Sequence, residues 1–273
     1  MPSLQNKQAL TVSLIIPAYN EARHLKVCLD AVAAQSVMPE EVIVVDNNST
    51  DDTVKIAHQY PFVKVANATE QGVLYARNAG FNAATKHIIG RIDADTVLPI
   101  GWTAYVKNFY KDPNHVTTAF SGGAFFYNIR FGRFAGYMLG YIAFRFNRIL
   151  LGHHIMYGSN MAMPRAMWKT VKDEVCDDPT IHEDLDLGIH LHRSGYKIAH
   201  REKLRVGVKM RRVKADHAEL WENMMWWPRT LRKHGKKTWV FGWIGALLII
   251  IVSPVVKLNE WFARRLGFTP LED

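Results

Sequence analysis

Short apolar runs alternate with amphipathic stretches along the N-terminal part of the chain. The apolar runs predict buried β-strands at residues 10–17, 41–46, 62–66 and 87–93. The stretches between them have the apolar spacing of helices, at residues 21–34, 52–60 and 73–86. This alternation predicts an α/β fold, with helices on both faces of a mainly parallel sheet. Such sheets bind ligands at the carboxyl ends of their strands, where Pro17, Asp46 and Asp93 fall.

The pattern is looser beyond residue 120. A strand is predicted at residues 119–129, and a long helix rich in aromatic and arginine side chains at residues 131–151. A helix at residues 182–193 and short strands at residues 196–200 and 205–210 follow.

The composition is that of a globular protein. Of the 273 residues 48% are hydrophobic, which is enough for a substantial core. Cys28 and Cys176 lie far apart and match no metal-binding or redox spacing, so both are predicted to be buried thiols. The apolar run that ends at Pro17 is too short and too poorly flanked for a signal peptide. These features predict a reducing, cytosolic compartment.

Positive charge is concentrated in the second half of the chain. Residues 1–120 carry 10 Lys and Arg against 11 Asp and Glu, whereas residues 121–273 carry 24 against 14. This asymmetry indicates a polyanionic partner, either a nucleic acid or an anionic membrane surface. The basic region matches no known nucleic-acid-binding motif, so we expect a membrane and no nucleic acid.

Residues 239–256 contain no charged side chain. As a helix this stretch is about 27 Å long, just short of a ~30 Å hydrocarbon core. Tryptophans cluster around it and basic residues flank it, as at a membrane interface. We expect residues 216–273 to form a basic, Trp-rich, membrane-associated helical tail. A spanning, re-entrant or in-plane placement and a buried core helix all stay open.

Asp93 and Asp95 stand at the end of the fourth predicted strand with only Ala94 between them. In an extended strand their side chains point to one face, where two carboxylates ~4 Å apart repel by roughly 4 kcal/mol. A shared divalent cation turns this repulsion into attraction, and Mg²⁺ or Mn²⁺ commonly fills such sites beside nucleotide phosphates. A solvated acidic turn is the alternative.

Several motifs follow one another in a specific order. They are IIPAYNE after the first strand, VVDNNSTDDT at the second, ARNAG at residues 76–80 and DAD at residues 93–95. Together they resemble the family-2 glycosyltransferases of the GT-A fold, which use nucleotide-diphosphate sugars. The resemblance implies inverting, metal-dependent transfer from a UDP- or GDP-linked sugar. It also implies a catalytic domain over residues 1–215, with a nucleotide-binding half at 10–98 and an acceptor-side half at 99–215.

The resemblance further implies which residues bind the donor. Those at the nucleotide are Pro17, Ala18, Tyr19, Glu21, Asp46, Asn48 and Arg77. Asp93 and Ala94 are expected beside it, with Asp93 and Asp95 as the metal ligands. The stretch GSNMAM resembles the strand that lines the donor sugar, where Gly158 and Ser159 allow close approach of the backbone. No G-x-G-x-x-G motif follows either strand, which disfavours a dinucleotide dehydrogenase.

The stretch HEDLDLGIHLHRSG contains Glu183 and Asp184, which resemble the family's E-D motif. In that family the aspartate is the general base, which must reach the acceptor hydroxyl. We therefore expect Asp184 to take the acceptor proton in a single displacement, with Glu183 as its catalytic neighbour. Asp186 is an alternative base, and an acidic cap at a helix start is an alternative interpretation.

Two stretches depart from the family pattern. KDEVCDDPTI replaces a Gly-Gly-Phe-like turn near the acceptor pocket. WPRTLRKHG resembles the R-x-x-R-W element of processive members through Arg229 and Arg232, but has Lys233 in place of tryptophan, which favours single transfer. Arg229 and Arg232 are expected either at the donor diphosphate or on a basic surface.

The predicted helix at residues 131–151 fits either a core helix or a membrane-surface helix. With the basic second half, it favours a protein at the cytoplasmic face of the membrane, anchored by residues 239–256. A lipid or lipid-linked acceptor follows, as in the biosynthesis of cell-envelope glycans or glycolipids. Two other functions stay open: a nucleotidyltransferase, and a non-catalytic basic module that binds membranes or nucleic acids.

Overall fold

Seven β-strands pair into one sheet within the described part of the chain. The structure is a computed structural model that describes residues 9–129, 132–210, 217–243 and residue 265. The strands are β1 Val12–Ala18, β2 Glu41–Asp46, β3 Val63–Asn67, β4 Ile88–Arg91, β5 Thr118–Phe126, β6 Met161–Pro164 and β7 Lys197–Val208. The helices are α1 Leu25–Ala33, α2 Thr53–Ala57, α3 Val73–Ala83, α4 Trp102–Tyr110, α5 Gly132–Leu151, α6 Arg165–Val171, α7 Glu183–Arg193 and α8 His217–Lys233, with a 3₁₀ turn at Pro113–His115.

The strand order is β3-β2-β1-β4-β6-β5-β7, with β4 in the middle. The first four strands in this order run parallel. β6 is antiparallel to both β4 and β5, and β7 is parallel to β5. The prediction of a mainly parallel α/β sheet is confirmed. The carboxyl ends of β1, β2 and β4 therefore share one edge.

Alternate residues of the parallel strands enter two separate cores. Leu14 and Ile16 of β1 pack in one hydrophobic cluster with α1, whereas Ile15 packs in the other. Val44 and Val45 of β2 divide in the same way. Because successive side chains of a strand point to opposite faces, the sheet is buried on both faces. This explains why its strands read as continuous apolar runs.

Helix α3 lies close to the sheet because Gly80 has no side chain. A Cβ at Gly80 would lie 2.3 Å from Ile15 Cγ2 and 2.8 Å from Val45 Cγ2. The close approach carries Arg77, one turn earlier on α3, beneath the start of α7. The small residues of the ARNAG motif therefore have a packing role.

Some predicted boundaries are corrected. β4 ends at Arg91 because the Thr96 N–H donates to the Asp93 carbonyl at 3.0 Å and closes a turn. Asp93 and Asp95 therefore lie in this turn, not on one face of an extended strand. The two short strands predicted at residues 196–200 and 205–210 are the single strand β7, whose pairing with β5 is irregular at Gly122/Gly123.

The predicted membrane tail is described only in part. Helix α8 and the residues up to 243 belong to it, whereas residues 244–256 of the apolar stretch lie outside the described residues. Within the described ranges, no helix has both the length and the apolar character that crossing a membrane requires. On this finding the predicted location, a cytoplasmic membrane face with an anchor at residues 239–256, is wrong. The domain boundary at residue 215 stays a prediction.

Candidate active site

A buried arginine joins the acidic residues at the carboxyl edge of the sheet. Arg91 is the last residue of β4, and its side chain is 2% exposed. Its Nη1 lies 3.1 Å from Glu183 Oε1 and donates a short hydrogen bond to Asp184 Oδ1. Its Nη2 donates to Asp93 Oδ1 at 3.1 Å. One guanidinium thus connects the acidic turn after β4 with the acidic start of α7.

Asp184 is held from two sides. Its Oδ1 accepts from Arg91, and its Oδ2 accepts from the Gly158 N–H at 2.7 Å. Burial raises the pKa of this carboxyl group above its usual range, and the charge of Arg91 opposes the shift. A carboxylate in this setting has more affinity for a proton than an exposed aspartate.

Asp93 and Asp95 offer hard oxygen ligands in one turn. The Asp93 side chain is 35% exposed, and its Oδ2 accepts a short hydrogen bond from Ser159 Oγ. Asp95 is buried, and its carbonyl accepts from the Tyr127 hydroxyl at 3.1 Å. A carboxylate has about four lone pairs, so the two bonds at Asp93 leave room for a metal. This donor set fits Mg²⁺ or Mn²⁺.

Arg77 is fully buried beneath the E-D motif. Its Nη1 donates to the Glu183 carbonyl at 2.5 Å, and its Nε and Nη2 donate to Asn78 Oδ1. Its guanidinium also lies 5.9 Å from the centre of the Trp168 ring. The side chain supports the start of α7 from below, and its expected contact with the nucleotide stays a prediction.

The residues expected at the nucleoside lie at the ends of β1 and β2. Pro17 and Ala18 pair with Val45 and Asp46 across the two strands. Asp46 Oδ1 accepts from the Ser49 N–H at 3.1 Å, which shapes the turn after β2. The next residue after β1, Tyr19, is 49% exposed. The exposed Tyr19 ring offers a stacking surface, and the Asp46 carboxylate at the end of the neighbouring strand offers a hydrogen-bond acceptor.

Glu21 and Asn48 are engaged in the loops next to these strands. Glu21 is buried, and its Oε2 lies 2.8 Å from His24 Nδ1. Its N–H donates to Thr53 Oγ1 at 2.8 Å. Asn48 has φ 64°, a left-handed conformation that asparagine tolerates better than most residues. Both residues therefore shape the loops, and their contact with the donor stays a prediction.

Gly158 and Ser159 lie in the turn before β6. Both touch the acidic residues directly, Gly158 through its N–H to Asp184 and Ser159 through its hydroxyl to Asp93. Ala94 is buried in the turn between the two aspartates. The structure thus brings GSNMAM, the DAD turn and the E-D motif into one cluster.

Arg229 and Arg232 lie on α8. Arg229 pairs with Glu222 on the same helix and is 43% exposed. Arg232 lies 5.7 Å from the centre of the Trp239 ring. Both line a groove with Trp221, Met225, Pro228, Trp239 and Trp243. Among the described contacts neither arginine touches the Arg91 cluster, so a diphosphate contact stays a prediction.

Asp186, the alternative base, belongs to a different cluster. Two residues along a helix correspond to a rotation of about 200°, so Asp184 and Asp186 point in nearly opposite directions. The Asp186 side chain is fully buried, lies 2.7 Å from His234 Nε2 and accepts from the Cys176 N–H at 3.1 Å. The geometry favours Asp184 as the group that faces the Arg91 cluster.

Arg91 is a site residue that the motifs do not reveal. A signal for it exists in the sequence, because HIIGRID places one charged residue inside a strand that is buried on both faces. A buried guanidinium requires acidic partners, and the available acids are those of the DAD and E-D motifs.

The sheet, the acidic turn after β4 and the acidic helix start joined to it define a GT-A type glycosyltransferase fold. The model of the family described as "Glycosyl transferase family 2" matches residues 13–171, more than half of the chain. The chain belongs to this family. The predicted resemblance, and the glycosyltransferase class it implies, are confirmed.

Known relatives match part of the chain. Chondroitin synthase of Pasteurella multocida (strain Pm70) is 33% identical over 106 residues, which are 37% of this chain and 11% of that protein. The chain therefore spans only a small part of this relative.

Solved structures match most of the chain. Mannosyltransferase PcManGT from Pyrobaculum calidifontis, in complex with GDP-Man and Mn²⁺, has a TM-score of 0.64 at 20% identity, over 96% of this chain and 77% of that chain. S. aureus TarS 1-349 in complex with UDP-GlcNAc has a TM-score of 0.55 at 15% identity, over 89% and 81%. At these identities the likeness shows the fold alone.

Proposed function

We propose that this protein transfers a sugar from a UDP- or GDP-linked donor to an acceptor oxygen, with inversion at the anomeric carbon. One observation carries the proposal: Asp184 is buried, bound by Arg91 and Gly158, and adjacent to the acidic turn after β4. A base and a polyanion-binding site must lie on opposite sides of the reacting carbon in a single displacement. We assign the role of base to Asp184 at the start of α7 and diphosphate binding to the DAD turn, which Arg91 connects.

Donor binding is proposed at the carboxyl edge of the sheet. The exposed ring of Tyr19 and the carboxylate of Asp46 supply the groups that a base and ribose require. Gly158 and Ser159 border the sugar, because their turn contacts both acidic motifs. Asp93 and Asp95 would hold Mg²⁺ or Mn²⁺, which neutralises negative charge on a diphosphate leaving group when bound.

Asp184 acts as the general base in this proposal. It accepts the acceptor proton while the acceptor oxygen bonds to the anomeric carbon and the bond from that carbon to the diphosphate oxygen breaks. The raised pKa suits this task, because a carboxylate with higher proton affinity is a stronger base. Arg91 keeps the carboxylate oriented, and Arg77 supports the main chain at Glu183.

A lipid-linked hydroxyl or phosphate is proposed as the acceptor. Its support is an exposed apolar row on α5, whose members are 47% to 77% exposed: Phe134, Leu139, Ile142 and Ile149. A surface of this kind favours contact with apolar ligands. The same helix packs through Phe144 against Tyr157, the residue before Gly158, so it borders the proposed sugar site.

The test is turnover of the purified full chain on a panel of UDP- and GDP-linked hexoses with Mn²⁺ or Mg²⁺. Each donor is offered with extracted lipids or with water-soluble glycans. Release of nucleoside diphosphate together with sugar label in the lipid phase supports the proposal. Label in the soluble glycans alone contradicts the lipid acceptor. Release of pyrophosphate, or no turnover on any donor, contradicts sugar transfer.

A further inference from the structure

A second cluster of metal-binding side chains lies away from the Arg91 cluster. Cys176, Asp186, His190 and His234 each offer one ligand atom, and these atoms all lie within 4.8 Å of one another. Cys176 Sγ is 3.9 Å from Nε2 of each histidine. Asp186 Oδ1 is 2.7 Å from His234 Nε2 and 3.4 Å from His190 Nε2. The ligands come from the loop before α7, from α7 itself and from the residue after α8.

We propose that this cluster binds one Zn²⁺ ion as a structural site. Bonds to zinc of about 2.0–2.3 Å in a tetrahedron place neighbouring ligand atoms about 3.3–3.7 Å apart. The two distances from Cys176 Sγ to the histidines, 3.9 Å each, and the 3.4 Å distance between Asp186 and His190 are within a few tenths of an ångström of that range. The His234–Asp186 pair, a hydrogen bond at 2.7 Å, has to open by about half an ångström. One sulfur, two imidazole nitrogens and one carboxylate oxygen suit zinc better than Mg²⁺ or Mn²⁺.

The charges at the cluster balance on binding. One thiolate and one carboxylate neutralise the two positive charges of the ion, which is the condition for burying it at low cost. The Asp186 side chain is fully buried and that of His234 is 2% exposed. On binding, the Cys176 thiol releases its proton to solvent, and each neutral imidazole exchanges the hydrogen on Nε2 for one on Nδ1, with no net loss of a proton from the ring. No oxidation or reduction is involved.

Contacts around the ligands orient them. Glu174 Oε2 lies 3.8 Å from His190 Nδ1, so this carboxylate attracts the hydrogen that Nδ1 carries when Nε2 binds a metal. Arg193 Nη2 donates to the His234 carbonyl at 2.9 Å. Arg193 Nη1 also lies 3.0 Å from His234 Nδ1. When Nε2 of His234 binds zinc, its Nδ1 carries the hydrogen and can no longer accept from Arg193. The contact between Arg193 Nη1 and Nδ1 is therefore lost, whereas the hydrogen bond from Arg193 to the His234 carbonyl stays.

The site joins α7 to the end of α8. A described bond between the start of α7 and α8 runs from the His182 N–H to Thr230 Oγ1, at 2.8 Å. Zinc bound to Asp186 and His234 would fix the helix that begins with Glu183 and Asp184. The ion therefore has a positioning role and stands apart from the predicted ligands Asp93 and Asp95. The sequence does not reveal the site, because Cys176 and His234 are 58 residues apart.

The test is the metal content of the full chain after expression in zinc-supplemented medium and gel filtration. Elemental analysis is expected to find about one zinc per chain in the wild type and about tenfold less in Cys176→Ser and in His234→Ala. Replacement by Co²⁺ in the wild type is expected to give thiolate-to-cobalt absorption that Cys176→Ser lacks. The apparent Tm of the wild type falls with a zinc chelator, whereas that of Cys176→Ser does not.

Two controls separate this site from others in the chain. Cys28→Ala removes the other cysteine, which is buried in the sheet core, and is expected to keep zinc. Asp93→Asn removes a predicted ligand of the catalytic metal and is also expected to keep zinc. A wild type without bound zinc and without the cobalt absorption overturns the proposal. Zinc retained in full by Cys176→Ser overturns it too, because the ion then lies elsewhere.

Discussion

The Gly158 N–H donates to Asp184 Oδ2 at 2.7 Å, so the proposed base is bound by the main chain of the turn before β6. A Cβ at Gly158 would lie 2.5 Å from that oxygen and 2.7 Å from Arg91 Cζ. Only glycine lets the turn approach both groups so closely. The orientation of Asp184 therefore depends on Gly158, a residue that has no side chain.

We predict that Gly158→Ala lowers kcat by about 100-fold, because displacement of a reacting group by about 1 Å has effects of this size. Far-UV circular dichroism is expected to stay unchanged, since the substitution affects one turn. The measurement is kcat and donor KM under saturating acceptor. Gly140→Ala is the matched control, because a Cβ there meets nothing within 4 Å. Equal kcat in both variants would show that the close approach is irrelevant.

Replacing Arg91 by lysine keeps the charge and removes the forked geometry. The Arg91 guanidinium contacts Asp93, Glu183 and Asp184 at once, which a single ammonium cannot reproduce. We expect Arg91→Lys to lower kcat by about 100-fold. Arg145→Lys, on the exposed face of α5, is the control and is expected to be neutral. Wild-type turnover in Arg91→Lys would contradict the conclusion that the forked guanidinium group of Arg91 is required for catalysis.

Glu41 at the start of β2 is predicted to support stability above acidic pH. Burial acts to raise its pKa, but hydrogen bonds from Ser13, Thr85 and Lys64 outweigh it and lower the pKa to about 2, from 4.5. Because the folded-state pKa is the lower one, the contribution is complete above about pH 4.5 and is lost as the pH falls toward 2.

The measurement for Glu41 is urea unfolding of Glu41→Gln at two pH values. We expect a loss of about 3 kcal/mol at pH 7 and a loss of roughly half that size near pH 3. Asp30→Asn, which alters an exposed ion pair with Lys26, is expected to change stability by less than about 1 kcal/mol. An equal loss at both pH values would assign the effect to packing and not to the charge.

Asp95→Asn tests the predicted metal ligands. Loss of one carboxylate weakens a hard-cation site, so we expect the Mn²⁺ concentration for half-maximal activity to rise by more than about tenfold. Asp173→Asn, whose side chain is 85% exposed, serves as the control. A Mn²⁺ response that matches the wild type would exclude Asp95 as a ligand.

Much of the fold follows from the apolar pattern alone. Strand β2 has the predicted bounds because burial on both faces gives a continuous apolar run. Helix α5 lies within the predicted helix at residues 131–151 because burial on one face gives a helical period. The apolar pattern does not show where β4 ends. Asp93 directly follows the apolar residues of the strand in sequence, but the hydrogen bond from the Thr96 N–H to the Asp93 carbonyl closes a turn there. Such local bonds compete with strand pairing and leave no periodic signal.

The sequence motifs of the site could be recognised, but the contacts between them could not be predicted. DAD, GSNMAM and the E-D pair could each be found in the sequence, yet their meeting point is Arg91, which belongs to none of them. Likewise Cys176 and His234 meet only because α7 packs against α8. Contacts of this kind depend on the tertiary arrangement, so the spacing of the motifs does not show them, although the charged residue in β4 is a signal for Arg91 itself.

The most direct measurement of the central claim compares Asp184→Asn with the wild type in sugar transfer and in nucleotide binding. Asparagine keeps the shape of the side chain and cannot accept the acceptor proton. We predict that kcat falls at least about 100-fold while the Kd for the nucleoside diphosphate, measured by calorimetry, stays within about threefold. Transfer at the wild-type rate by Asp184→Asn would contradict the assignment of the base.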